Sequence, residues 1–90
     1  MEEYGIAAFR SRQQVLRFEE MLRRSGLMVS VVSTPREVAV GCGLSVKFRA
    51  GDIRRVQSML SYIQPANLIG LYLVRRREGR TYLTTISRQG

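Results

Sequence analysis

Cys42 is the only cysteine in the chain, and it stands between Gly41 and Gly43. Flanking glycines leave a thiol unshielded by neighbouring side chains and let backbone N–H groups turn towards it. The nucleophilic form of a thiol is the thiolate, which nearby cations or a helix N-terminus favour. The chain has no histidine. His-based general-base chemistry, dithiol redox, an internal disulfide and metal sites of the usual Cys/His kinds are therefore excluded. What remains open to an activated lone thiol is transfer: an incoming sulfur rests on it as a persulfide until an acceptor removes it. The inert reading stands beside this one, because free cysteine is among the residues most often buried as a small hydrophobe. The residue types alone leave the two in balance.

Arginine is the other chemical resource. The chain carries 15 basic residues against 7 acidic ones, for a net charge of +8, and Lys47 is its only lysine. A guanidinium presents five donors in a planar fork suited to anions. Charge of this kind attracts nucleic acid or acidic proteins without choosing between them. Arg36 follows Pro35, which sets its direction, and can steady a Cys42 thiolate or persulfide or dock an anionic donor. With Glu37 it can equally form a surface ion pair worth little. Arg10 and Arg12 flank Ser11 and read mainly as a solvated face. Arg75-Arg76-Arg77 is the most nucleic-acid-like cluster. Its plainer reading is a soluble turn that blunts an edge strand.

Elements that must position these residues follow from apolar periodicity. Tyr4 to Phe9 is a short apolar run, a first strand. Ser11 with Gln14 three residues on is a capping-box signature, and Val15, Phe18 and Leu22 recur at helical spacing up to a stop at Gly26. Leu27 to Val32 is a second strand, broken by Ser33-Thr34-Pro35-Arg36-Glu37. Leu44, Val46 and Phe48 alternate with Ser45, Lys47 and Arg49, which predicts a third strand with one buried face. Gly51-Asp52 opens a second helix whose buried stripe is Ile53, Val56, Met59, Leu60 and Ile63, stopped by Pro65. Leu68 to Val74 is a fourth strand, 75–80 a polar turn, and Thr81 to Ile86 a returning fifth strand. Met21, Met28 and Met59 read as core fillers.

The order βαββαβ predicts an α+β, ferredoxin-like sandwich, with an antiparallel sheet in the order 4-1-3-2 and two helices on one face. The 90 residues make a single domain, with a core over 4–74 and a C-terminal hairpin extension over 75–88. That topology gathers Arg10-Ser11, Thr34-Pro35-Arg36 and Gly41-Cys42-Gly43 at one end of the sheet. Such a placement sets Cys42 near the positive end of the first helix. A domain of this size holds one core and no walled-off cavity.

The stretch Ser33-Thr34-Pro35-Arg36-Glu37 followed by Cys42-Gly43-Leu44 resembles a small bacterial family described as selenium/sulfur carrier protein-like. Members are similar in a strand ending Phe-x-Ser, here Phe9-Arg10-Ser11, then Thr-Pro-Arg-Glu, then Cys-Gly opening the next strand. The likeness runs from about Tyr4 to Ile63. It implies a carrier that holds sulfur or selenium on Cys42, with Arg36 in the same loop. Such a carrier is a stoichiometric participant rather than an enzyme, loaded by a desulfurase-type donor and unloaded by an acceptor protein, with no cofactor.

The alternative is a non-catalytic arginine-rich module that binds an anion, RNA or a partner protein. The aromatics are too scattered for a stacking platform, which disfavours nucleic acid. A homodimer through the C-terminal edge strand is a further expectation. The chain lacks a basic-then-apolar leader and any apolar run long enough to span a membrane. A reducing, cytoplasmic setting is expected.

Overall fold

The computed structural model describes residues 2–38, 43–63, 65 and 67–88. In chain order the elements are β1 (Glu2–Phe9), α1 (Arg12–Arg24), β2 (Val29–Ser33), a 3₁₀ turn (Arg36–Val38) and β3 (Leu44–Arg49). A second 3₁₀ turn (Ala50–Asp52) leads into α2 (Ile53–Ile63), followed by β4 (Leu68–Arg77) and β5 (Arg80–Arg88). The five strands form one antiparallel sheet in the order β2-β3-β1-β4-β5. Among the described residues no helix is long and apolar enough to cross a membrane.

β1 and β4 lie inside the sheet and are covered on both faces, which is why they read as continuous apolar runs instead of alternating ones. One cluster joins Ala7 and Phe9 of β1 and Val46 and Phe48 of β3 to Val15, Phe18 and Leu22 of α1 and Val56 and Leu60 of α2. The rings of Phe9 and Phe18 meet at 5.4 Å between centroids. The alternate residues of β1, Tyr4, Ile6 and Ala8, belong to a second cluster with Val38, Ile69, Tyr72 and Val74.

Helix α1 ends as its sequence suggests. Gly26 takes φ 88°, its N–H donates to the Arg23 carbonyl, and the Leu27 N–H donates to that of Leu22 at 3.1 Å. This is the Schellman arrangement, with Leu22 and Leu27 both buried beneath it. At the other end Ser11 is the N-cap, but its side chain makes no capping hydrogen bond. The capping box is present in sequence and unused in structure.

Several expectations change. Arg75, Arg76 and Arg77 are not a turn: β4 continues through them, β5 starts at Arg80, and Glu78-Gly79 alone makes the turn. Both turn residues have positive φ, 52° and 76°, the geometry that matches the twist of a two-residue hairpin. The polarity of this stretch reflects a two-stranded ribbon that is exposed from Arg75 to Tyr82. Met28 is 69% exposed and Ile63 38%, so neither fills the core. Leu27 takes the inward position at the mouth of β2, which turns its neighbour Met28 outward.

Candidate functional site

The loop from β2 to β3 continues the ladder for one more step before it opens. Ser33 pairs with Leu44, and beyond them the Thr34 N–H donates to the Gly43 carbonyl at 2.8 Å. The hydroxyls of Thr34 and Ser45 are hydrogen-bonded at 2.7 Å. Ser45 is completely buried and is the one buried polar side chain among the described residues. A buried hydroxyl without a partner is costly, so this pair ties the loop's first residue to the floor of the sheet.

Past Pro35 the chain turns once, with the Val38 N–H donating to the Pro35 carbonyl at 3.0 Å. This turn presents Val38 to the cluster of Tyr4, Ile6, Ala8, Ile69, Tyr72 and Val74. The described part of the loop therefore lies against the face of β1 opposite the one that α1 packs on. Val38 is 6% exposed, while Arg36 and Glu37 are exposed on the outer side of the same turn. Gly43 has φ 81° and open space where a Cβ would stand, so glycine is required by the backbone and not by crowding.

The sequence named Cys42 with Arg36, Gly41, Gly43, Ser11, Arg10, Thr34 and Pro35. Cys42 and Gly41 lie outside the described residues. Of the others, the structure brings Thr34 to Gly43 through the backbone and half-buries Pro35. The pairings Ala8 with Ser45 and Phe9 with Leu68 put Arg10-Ser11 at the same end of the sheet as Thr34 and Gly43. Arg10 is exposed, and its N–H donates to the Asn67 carbonyl at 2.8 Å. Among the described residues Arg36 forms no ion pair with Glu37 and no hydrogen bond with Arg10 or Ser11.

Ser45 is the residue that sequence reasoning missed. Its place in the alternation of β3 assigned it to a solvent face with Lys47 and Arg49. That face is covered: Ser45 is buried where it pairs with Ala8, a member of the same apolar cluster as Val38, and Lys47 lies half-buried with Nζ 4.4 Å from the Tyr4 ring centroid. The usable signal was β1 itself, whose apolar run Ile6-Ala7-Ala8 requires cover on both faces.

A groove of about 520 Å³ lies at the opposite end of the sheet, lined by Glu3, Tyr4, Met28, Lys47, Phe48 and Arg49 among others. Three of its charged side chains have partners. Glu3 accepts from Arg75 Nε at 2.6 Å, Lys47 sits on Tyr4, and Arg49 reaches the Met28 sulfur at 3.8 Å.

A family model described as "Putative Se/S carrier protein-like" matches residues 4–68, from β1 to the first residue of β4. The matched span includes every residue of the Thr34–Gly43 loop. No curated protein and no solved structure matches the chain. The family match covers well over half of the sequence, and the chain belongs to that family.

Proposed function

We propose that this member of the selenium/sulfur carrier-like family holds a chalcogen atom on Cys42 and relays it to an acceptor. The observation that carries the reading is the family match through residues 4–68, within which Cys42 is the only thiol. In the loading step the Cys42 thiolate attacks the outer sulfur of a persulfide on a desulfurase-type donor. The donor's S–S bond breaks and its thiolate leaves, while Cys42 becomes a persulfide. Unloading is the same exchange in reverse sense, with the acceptor's nucleophile attacking the outer atom and the Cys42 thiolate leaving. Selenium in place of the outer sulfur follows the same electron count.

Arg36 is the residue proposed to assist. Its position on the outer side of an anchored turn leaves its guanidinium free to meet an anionic persulfide or a donor. Thr34, Pro35 and Gly43 shape the loop, and Arg10 and Ser11 line the same end of the sheet. Neither half of the exchange needs a cofactor. We read the fold as ferredoxin-like, with both helices on one face. The strand order β2-β3-β1-β4 and the single apolar cluster shared by α1 and α2 support that reading.

The test is intact-protein mass spectrometry without reductant, after incubation with a cysteine desulfurase and cysteine. Wild type is expected to gain one sulfur that dithiothreitol removes, and Cys42→Ser to gain none. Arg36→Gln is expected to load more slowly while reaching the same one-sulfur gain. An unmodified wild type under conditions that load a control carrier would overturn the proposal.

A further inference from the structure

The ribbon formed by the ends of β4 and β5 carries an arrangement that neither the fold nor the carrier reading uses. Arg77 stands directly opposite Arg80, and Arg75 directly opposite Tyr82. Side chains alternate along a strand and cross-strand partners share a face, so Arg75, Arg77, Arg80 and Tyr82 form one patch. Arg76 and Thr81 occupy the reverse side. All six are exposed, and Tyr82 is 51% exposed. Like charges placed directly opposite are unfavourable. The turn that joins them adds a second unfavourable feature, a glutamate at φ 52° where glycine or asparagine is preferred.

Edge protection does not explain Arg75 and Arg76. Charges that blunt a sheet belong on its outermost strand. Here Arg75 and Arg76 lie on β4, which is paired with β1 on one side and β5 on the other. Nor do acidic neighbours account for the cluster as a whole. Arg75 is held by Glu3, but Arg76, Arg77 and Arg80 form no ion pair among the described residues.

We propose that this ribbon face binds single-stranded nucleic acid, with phosphates on Arg77 and Arg80 and an unpaired base stacked on Tyr82. Arg77 and Arg80 face each other across the two strands, their Cβ atoms about 5 Å apart, which presents two neighbouring anion-binding forks to a phosphate chain. An aromatic ring set among them offers a face to a base, the recurring device of single-strand binders. An acidic protein segment would satisfy the charges but give the exposed tyrosine no matching partner. The ribbon lies beyond residue 68, outside the family match, so the inference does not depend on the carrier reading.

The experiment is fluorescence anisotropy with a labelled single-stranded RNA of about 12 nucleotides, its duplex, and a poly-glutamate peptide of similar charge. The expected order of affinity is single strand, then duplex, then peptide. For the double variant Arg77→Gln/Arg80→Gln the affinity for the single strand is expected to fall at least tenfold at about 50 mM salt. The slope of log K against log salt is expected to shrink by about 1.4, the loss of two phosphate contacts. Tyr82→Thr is expected to lower single-strand affinity about tenfold while changing duplex binding less. Arg77→Lys/Arg80→Lys keeps the charge and is expected to retain most of the affinity.

Three results would overturn the proposal. One is a wild type that does not bind the RNA at low salt. Another is equal affinity for poly-glutamate. The third is an equal loss from Arg23→Gln/Arg24→Gln on α1, which would make the attraction a property of net charge alone.

Discussion

The two chain reversals at opposite ends of the sheet are built on contrary principles. The described part of the loop between β2 and β3 sinks Val38 into an apolar cluster and hydrogen-bonds Thr34 to the buried Ser45 hydroxyl. The reversal between β4 and β5 buries nothing: from Arg75 to Tyr82 every residue is exposed. Both ends use positive φ, at Gly43 in the first and at Glu78 and Gly79 in the second. Only the first compensates with packing. Burying a valine side chain contributes about 1.5–3 kcal/mol, whereas an exposed charge pair is worth a few tenths. One end is therefore held by contacts within the protein. The other leaves Arg76, Arg77 and Arg80 without an ion pair among the described residues and available to an anion. The first falls inside the family match and the second outside it.

Replacing Val38 by Asp attacks the packed end most severely. A buried carboxylate without a partner is expected to cost about 3 kcal/mol or more, read as a lowered urea midpoint. A loss below about 1 kcal/mol would mean that Val38 does not anchor the turn. Thr34→Val is milder. It strands the Ser45 hydroxyl and is expected to cost about 1–3 kcal/mol. Adding Ser45→Ala should recover part of that, with a coupling of at least about 0.5 kcal/mol in a double-mutant cycle.

The exposed end should respond in the opposite sense. Arg77→Gln/Arg80→Gln removes facing like charges and is expected to raise stability by a few tenths of a kcal/mol at low salt. That gain should vanish near 1 M salt, where the screening length is only about 3 Å. A clear loss of stability would show that the arginines support the hairpin and would erase the contrast between the two ends.

The sequence made much of the helical side legible, because there a single periodicity decides. Val15, Phe18 and Leu22 recur at helical spacing and are buried, and Gly26 stops α1 where its left-handed conformation is needed. The sheet's other face was harder. Alternation in β3 marked Ser45 as a solvent position, but its face of the sheet carries an apolar cluster that includes Val38, which arrives from a loop and follows no period. Arginines at 75–77 read as a turn because polarity alone cannot distinguish a turn from an exposed ribbon. Met28 read as core because hydrophobicity does not say which of two adjacent residues faces in. At the candidate site, the meeting of Arg10-Ser11 with Thr34 and Gly43 at one sheet end followed from strand order. The side of the sheet taken by Val38 did not, since no pattern in 34–38 encodes it.

Release of the carried atom tests the central claim most directly. Protein loaded by a desulfurase, freed of small molecules and treated with cyanide should yield thiocyanate in one-to-one ratio with chain and regain a free Cys42 thiol. Cys42→Ser should yield none, and Arg77→Gln/Arg80→Gln should yield as much as wild type. Thiocyanate from the Cys42→Ser variant, or none from wild type, would contradict the assignment of Cys42 as the carrying residue.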